Sequence, residues 1–162
     1  MFMRHGKAGW PDAAVDDHDR KLNKRGRLAT AEMAQRITQK YKVPDCIVSS
    51  TAKRAVETAK IFAEEVGYDG PIELRRRLYL AEPDAIFDVI SELDSSLKRI
   101  LVVGHNPGLS ELACHLSDSS IQMTTAAIFV AEAKIQKFSS FESEKVKRFK
   151  LLRPRKTQKD SS

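Results

Sequence analysis

The chain opens with Met1-Phe2-Met3-Arg4-His5-Gly6, and this stretch predicts both the class of fold and the place of its chemistry. Three apolar residues indicate a short buried strand, and a cation, an imidazole and a glycine follow directly at its carboxyl end. Ligands of α/β proteins bind at the carboxyl ends of the strands. Arg4 can offer phosphate oxygens a planar fork of donors, and the neutral ring of His5 can attack phosphorus. The pair suggests phosphoryl chemistry, although a strand that simply ends in polar residues is the alternative.

A second junction of this kind lies far along the chain, in Arg99-Ile100-Leu101-Val102-Val103-Gly104-His105-Asn106-Pro107-Gly108. An apolar, β-branched run ends at a glycine, and His105 stands where the strand stops. Asn106 is a good N-cap and Pro107 a good first helical residue. The helix that follows would direct its free N–H groups and the positive end of its dipole towards whatever His105 faces. The junction is therefore a candidate anion site.

A third junction lies between these two, where the run from Cys46 to Ala59 indicates a strand that leads into a helix. We expect Thr51 to cap this helix, Arg54 to lie in its first turn and Gly67 to end it. For Arg54 and His105 the alternatives are a cation on a helix surface and a histidine in a cap region. The order of strand and helix repeats up to residue 117 and predicts a mainly parallel sheet that is covered on both faces.

The remaining elements complete a single predicted domain over residues 1–152. An apolar face at helical spacing begins at Asn23, and Val43-Pro44 is expected to end that helix. A further helix is expected from about Asp84 to Leu93. Strands at Thr125–Ala131 and Lys145–Leu152 predict an antiparallel addition at the edge of the sheet. We therefore expect a three-layer α/β/α sandwich with a mainly parallel central sheet and antiparallel C-terminal strands.

Together, these motifs resemble the histidine phosphatase superfamily, which has the phosphoglycerate-mutase-like fold. Arg4-His5-Gly6, the Ser49–Thr58 segment with Arg54, and the Val103–Gly108 segment match that superfamily in order and in spacing. Within it, the chain is most similar to the small SixA-type phosphohistidine phosphatases, over roughly residues 1 to 152. Three motifs in the right order are far more specific than any one of them.

The resemblance implies a mechanism and a set of catalytic residues. In the family, the histidine of the Arg-His-Gly motif becomes transiently phosphorylated, and this role falls to His5. Arg4, Arg54 and His105 then form an electrostatic pocket around the phosphoryl group. Such donors can offset the charge that magnesium offsets in nucleotide-dependent enzymes, so the resemblance implies neither a metal nor another cofactor.

Further residues are expected around this pocket. Arg20 resembles part of an Arg-x-Leu element of the family branch and is expected at the phosphate rim, with a surface cation as the alternative. Gly6 lacks a Cβ, which permits a sharp turn and the close approach of a ligand to the backbone. Asn106 is expected to contribute to substrate binding. Glu82 is the candidate general acid, or else a polar residue that precedes the helix start at Pro83.

The resemblance implies dephosphorylation of phosphohistidine in a protein, with two alternatives. The first is a small-molecule phosphomonoesterase or mutase of the same superfamily. Mutase-like members carry an asparagine seven positions after the motif arginine, where this chain has Pro11. The second is a noncatalytic phosphate-binding module, against which the presence of His5 argues. The expected client is therefore a phosphorylated protein with a role in signalling, or else a small phosphorylated metabolite.

Net charge and composition indicate which other classes of partner the chain is expected to bind. The net charge is +6 over 162 residues, and Arg153 to Ser162 carries +3 of it with four basic residues and one acidic. We interpret this segment as a basic, disordered tail and expect no nucleic-acid partner, because basic and aromatic residues do not interleave as in single-strand binders. An acidic loop with Asp12, Asp16, Asp17 and Asp19 lacks a regular metal-ligand spacing. Two cysteines and no signal or membrane segment predict a cytoplasmic monomer with reduced thiols.

Overall fold

Strands and helices alternate along most of the chain in the computed structural model, which describes residues 1–10, 14–141 and 146–155. The described strands are β1 (Phe2–Arg4), β2 (Cys46–Ser50), β3 (Ile72–Arg75), β4 (Ile100–Gly104), β5 (Ile128–Glu132) and β6 (Arg148–Leu152). The α-helices in the same ranges are α1 (Lys24–Thr38), α2 (Lys53–Val66), α3 (Pro83–Ser91) and α4 (Gly108–Ser117).

The strands form one mixed sheet in the order β3-β2-β4-β1-β5-β6. The first four are parallel to one another, β5 runs antiparallel to β1, and β6 runs antiparallel to β5. In this register Phe2 lies opposite Val102 on one side and Phe129 on the other. The predicted fold class, a mainly parallel sheet with antiparallel C-terminal strands, is confirmed.

Helices cover both faces of the sheet, which makes three layers. Successive side chains of a strand point to opposite faces, so Phe2 and Met3 enter different cores. Met3 packs in the core beneath α1 and α2, with Met33 and Phe62. Phe2 packs in the core beneath α3 and α4, together with Ile90. Because both faces are buried, β2 and β4 consist of buried residues throughout and do not alternate between apolar and polar residues.

Several helix ends differ from the sequence expectation. Asn23 does cap α1, accepting from the Gly26 N–H at 2.8 Å, but the helix ends at Thr38, well before Val43-Pro44. The chain turns there because the N–H groups of Lys40 and Tyr41 both donate to the Ile37 carbonyl.

The expected cap of α2 was also wrong. Ala52 is the N-cap residue, because the hydroxyl of Thr51 instead lies 2.9 Å from Nε2 of His18. At the other end of α2 the expectation holds, since Gly67 ends the helix with a φ of +68°.

The C-terminal strands are shorter than expected, and the chain beyond them remains attached to the domain up to Arg155. β5 and β6 begin three residues later than predicted, at Ile128 and Arg148. The carbonyl of Arg153 accepts from the Arg36 guanidinium at 2.6 Å, and Arg155 lies 3.7 Å from Glu32. The rest of the predicted tail, residues 156–162, lies outside the described residues. No helix in the described ranges has both the length and the apolar character needed to cross a membrane.

Candidate active site

Three strand ends meet at the carboxyl edge of the parallel strands and bring two histidines and an arginine together. Arg4 pairs with Gly104 in the register of β1 and β4, so the next residue of each strand, His5 and His105, lie side by side. Their ring centroids are 5.1 Å apart, and the His5 N–H donates to the Gly104 carbonyl at 3.1 Å. Arg54 reaches the same place from the first turn of α2, which follows β2.

His5 is a neutral ring whose lone pair lies on Nε2. Its Nδ1 lies 2.7 Å from the Gly6 carbonyl oxygen, which can only accept, so Nδ1 carries the proton and Nε2 the lone pair. Burial, together with the positive charges of Arg54, Arg4 and Arg20, lowers the pKa of His5 to about 4, although the Gly6 carbonyl opposes this shift. The ring is thus a neutral nucleophile at neutral pH, the form required for attack on phosphorus.

His105 is neutral as well. Its Nδ1 lies 3.4 Å from Nη2 of Arg54, and because a guanidinium only donates, Nδ1 accepts. The other nitrogen, Nε2, therefore carries the proton and donates to the Ser50 hydroxyl at 2.8 Å. Burial, followed by the charges of His5 and Arg54, lowers the pKa of His105 to about 3. At neutral pH His105 acts as a polar neutral neighbour of the pocket and adds no positive charge.

Arg54 contacts each of the other central residues of the site. Its side chain is only 3% exposed. Nε donates towards Nε2 of His5 at 3.3 Å, and Nη2 faces both His105 and a carboxylate oxygen of Asp17, the latter at 2.9 Å. Nη1 donates to the backbone carbonyl of Asp17. One buried guanidinium therefore joins the two histidines to a loop that precedes α1.

The sequence analysis did not single out Asp17, whose carboxylate belongs to the site. It sits on a short 3-10 turn, Asp17–Asp19, and also accepts from the Arg20 guanidinium at 3.0 Å and from the Tyr79 hydroxyl at 2.7 Å. Burial alone would raise its pKa, but hydrogen bonds from Tyr79, Arg54 and Arg20 outweigh burial and hold that pKa well below the usual range of an aspartate. The site thus contains a carboxylate that is ionised at neutral pH.

Two further arginines surround this centre. Arg4 donates from Nη1 to the Met123 carbonyl at 2.9 Å, and its buried Nε has no hydrogen-bond partner in the part of the chain that the structure describes. Burial lowers its pKa. Arg20 donates from Nε to the Gly9 carbonyl at 3.1 Å and lies 3.5 Å from the centre of the exposed Trp10 ring. Both arginines therefore lie near enough to His5 to lower its pKa electrostatically.

Gly6 is confined by packing against α1. Its N–H donates to the Thr58 hydroxyl at 3.0 Å and does not point into the pocket. A Cβ at this position would lie 2.8 Å from the Gly26 carbonyl oxygen and 2.8 Å from Oγ1 of Thr30. The structure thus explains this glycine by the close approach of a helix.

Asn106 lies differently from expectation, whereas Glu82 directly precedes the helix start at Pro83, as one of its two interpretations predicted. The helix expected to start at Pro107 with Asn106 as its cap begins at Gly108, because the Asn106 side chain is engaged elsewhere. Its amide donates to the Met123 carbonyl at 2.9 Å and its oxygen accepts from Ser110 at 3.0 Å. Glu82 is exposed at the N-cap of α3, where its side chain makes no capping hydrogen bond.

No group of three or more His, Cys, Asp or Glu side chains that could hold a metal ion occurs in the described ranges. Part of the acidic loop noted in the sequence, including Asp12, lies outside those ranges. Two of its described carboxylates pair with cations: Asp17 pairs with two arginines, and Asp19 lies 3.1 Å from Lys53.

The sequence matches a known family and several known proteins. A family model described as the histidine phosphatase superfamily (branch 1) matches residues 1–82. Uncharacterized protein Rv1276c of Mycobacterium tuberculosis (strain ATCC 25618 / H37Rv) is 36% identical over 136 residues, which cover 84% of this chain and 80% of that protein.

Two solved structures share the fold. The structure of SixA from Nakamurella multipartitia has a TM-score of 0.83 at 22% identity, and the match covers 94% of this chain and 93% of that one. The structure of the protein histidine phosphatase SixA complexed with tungstate has a TM-score of 0.76 at 21% identity, covering 91% and 93%.

Proposed function

This chain belongs to the histidine phosphatase superfamily, as its three motifs indicated, and from that premise we propose that it removes the phosphoryl group from phosphohistidine in a protein. The coarser activity, hydrolysis by a phosphatase, is what membership and the shared SixA fold indicate. The observation that carries the proposal is the state of His5. Its proton is held on Nδ1 by the Gly6 carbonyl, and its neutral Nε2 faces the buried Arg54.

In the proposed first step, the Nε2 lone pair of His5 attacks phosphorus and the bond from phosphorus to the substrate nitrogen breaks. The electron pair of that bond leaves with the client imidazole, which departs as a neutral ring because its other nitrogen is already protonated. Arg54 and Arg4 would stabilise the equatorial oxygens, because guanidinium donors match phosphoryl geometry. The phosphorylated ring of His5, still protonated on Nδ1, carries a positive charge that the Gly6 carbonyl oxygen favours.

In the second step, water attacks phosphorus and the bond to Nε2 breaks. The electron pair returns to His5, which becomes neutral again, and phosphate leaves with the oxygen of the water. Because arginines supply the positive charge in both steps, we expect turnover to persist when divalent metals are chelated.

The leaving group explains why phosphohistidine suits this site. An alkoxide that leaves a phosphomonoester is strongly basic, and a positioned acid accelerates its departure by about a hundredfold or more. An imidazole has a reference pKa of about 6.5 and leaves far more readily. Asp17, which hydrogen-bonds to Arg54 in this pocket, is held ionised by its donors and is a poor acid. Glu82 is exposed.

Substitution of the nucleophile tests the proposal. His5→Ala should abolish turnover and also the transfer of a labelled phosphoryl group from a phosphohistidine protein to the enzyme, because the ring that accepts the group is removed. Acid-labile label on the parent enzyme, and none on the variant, is the expected result. If the variant still captured label to the same extent, another residue would be the nucleophile.

The Glu82→Gln variant distinguishes the proposed phosphohistidine phosphatase from the alternative, a small-molecule phosphomonoesterase. On the phosphohistidine proposal this exposed residue is not required, so hydrolysis of phosphohistidine should stay within severalfold of the parent while phosphomonoester hydrolysis stays slow in both. A hundredfold loss on phosphohistidine, with unchanged stability and phosphate affinity, would identify Glu82 as a required acid and favour the alternative.

A further inference from the structure

The guanidinium of Arg54 is almost fully committed to groups of the protein itself. An arginine side chain has five N–H donors in one plane. Nε is taken by His5, both Nη2 donors by Asp17 and His105, and one Nη1 donor by the Asp17 backbone carbonyl. A bidentate grip on a phosphoryl group needs two neighbouring donors on one edge of that plane. Every such edge of Arg54 includes a donor that is already used.

Asp17 is the charged member of this set of partners, since both histidines are neutral. Its two carboxylate oxygens are held as phosphoryl oxygens would be: Oδ2 by Arg54 at 2.9 Å and Tyr79 at 2.7 Å, and Oδ1 by Arg20 at 3.0 Å. The Asp17 side chain is 39% exposed and stands on a short 3-10 turn, so a path to solvent is open to it. Arg54, at 3% exposure, has no such freedom.

A phosphoryl group and the Asp17 carboxylate compete for the same donors. Like charges a few ångströms apart repel strongly in a partly buried site, so a dianion that reaches Arg54 also disfavours the carboxylate beside it. Resting on the proposed function, we propose that Asp17 is an internal competitor for the phosphoryl site: the substrate displaces its carboxylate and thereby frees Arg54 and Arg20 to bind phosphoryl oxygens. Asp17 then sets the affinity of the site and favours groups with two negative charges over weaker anions.

The proposal predicts that a loss of the carboxylate charge tightens phosphate binding. Asp17→Asn keeps the shape of the side chain and one acceptor oxygen but removes the charge that competes. Calorimetric titration with inorganic phosphate should show a dissociation constant at least fivefold lower than that of the parent. With an aryl phosphate as substrate, KM should fall by a similar factor.

The same turn offers a matched control. Asp19→Asn makes the same change in net charge, but its carboxylate faces Lys53 at 3.1 Å and has no contact with Arg54. Its phosphate affinity should stay within about twofold of the parent. Phosphate affinity in Asp17→Asn that equals or falls below that of Asp19→Asn would overturn the proposal, because Asp17 would then only orient Arg54.

A second variant decides the matter if Asp17→Asn fails to fold. Tyr79→Phe removes one donor from the carboxylate and leaves every charge in place, so a competing Asp17 should be displaced more easily and phosphate should bind at least twofold more tightly. Unchanged or weaker binding in this variant would overturn the proposal. Phosphate titration needs no turnover and can therefore be read separately from activity. If the parent enzyme is inactive on phosphohistidine while Asp17→Asn still binds phosphate more tightly than the parent, only the proposed substrate is refuted.

Discussion

Arg54 shows at the scale of one residue how much of the site depends on a planar side chain. Three nitrogens of its guanidinium meet His5, His105 and Asp17 from a single buried position. In Arg54→Lys the charge remains, but one ammonium group cannot reach these partners or grip two phosphoryl oxygens. We expect kcat/KM to fall by about a hundredfold or more.

Steady-state kinetics on the variant check this expectation. Arg27→Lys is a suitable control, since it makes the same substitution at an ion pair with Glu57 that lies at 2.8 Å on the helix surface. That control should keep nearly full activity. Near-full activity in Arg54→Lys as well would argue against a pocket that converges on this arginine.

The site residues that belong to a recognisable motif could be predicted from the sequence. The residues that only the folding of the chain brings into the site could not. His5, Arg54 and His105 follow strand ends, and parallel strands share one edge, so their convergence could be anticipated. Asp17 could not be distinguished from Asp16 or Asp19 in the same acidic loop, because its partners lie on α2 and beyond β3. The local sequence does not indicate which of these carboxylates points into the site.

At the scale of elements, two glycines of one motif have different tasks. A Cβ on Gly108, at the start of α4, would lie 1.9 Å from the Ala81 carbonyl oxygen. A Cβ on Gly104, at the end of β4, would meet only the Leu109 side chain at an ordinary 3.6 Å. The approach of the Ala81 backbone to α4 therefore requires a glycine at position 108.

We expect Gly108→Ala to lower the free energy of unfolding by about 2 kcal/mol or more, because the backbone of Ala81 has to move. Gly104→Ala should change it by less than about 1 kcal/mol. Urea denaturation of the two variants measures the difference. Equal effects of the two substitutions would contradict the close packing at Gly108.

The sequence predicted the existence of the elements better than their ends. Apolar, β-branched runs give β2 and β4 their buried positions, and hydrophobic spacing gives α1 its inner face. The ends depend on contacts that are remote in sequence. The hydroxyl of Thr51 contacts His18 rather than the start of α2, and the Asn106 side chain bonds to Met123 and Ser110.

At the scale of the whole molecule, the buried histidines link stability to pH. The pKa values of His5 and His105 are lowered to about 4 and about 3 from a reference of 6.5, so between pH 6.5 and about 4 the unfolded chain binds more protons than the native one. Stability rises with pH wherever the unfolded state holds more protons. The free energy of unfolding should therefore fall, by an amount on the order of a few kcal/mol, as the pH is lowered through that window.

Urea unfolding at a series of pH values measures this dependence. Below pH 4 the lowered pKa values of Asp17 and Asp45 should extend the loss, since these carboxylates are favoured in their ionised form in the native state. The double variant His5→Gln/His105→Asn should have a flatter profile above about pH 4. A parent profile with no slope between about pH 4 and 6.5 would show that the native state accepts these protons without cost.

The position of β1 in the sheet also constrains the order in which the protein can be assembled during synthesis. β1 lies between β4 and β5, whose residues lie about a hundred positions and more further along the chain. A ribosome adds roughly 5–20 residues per second, so β1 waits for several seconds before either neighbour has been made. Until then Phe2 and Met3 have no neighbouring strand to pair with, and a nascent chain that stalls before β4 has been made presents an unpaired, apolar strand to chaperones. Because His105 follows β4 directly, oxyanion binding by a nascent chain would thus indicate that translation has passed β4.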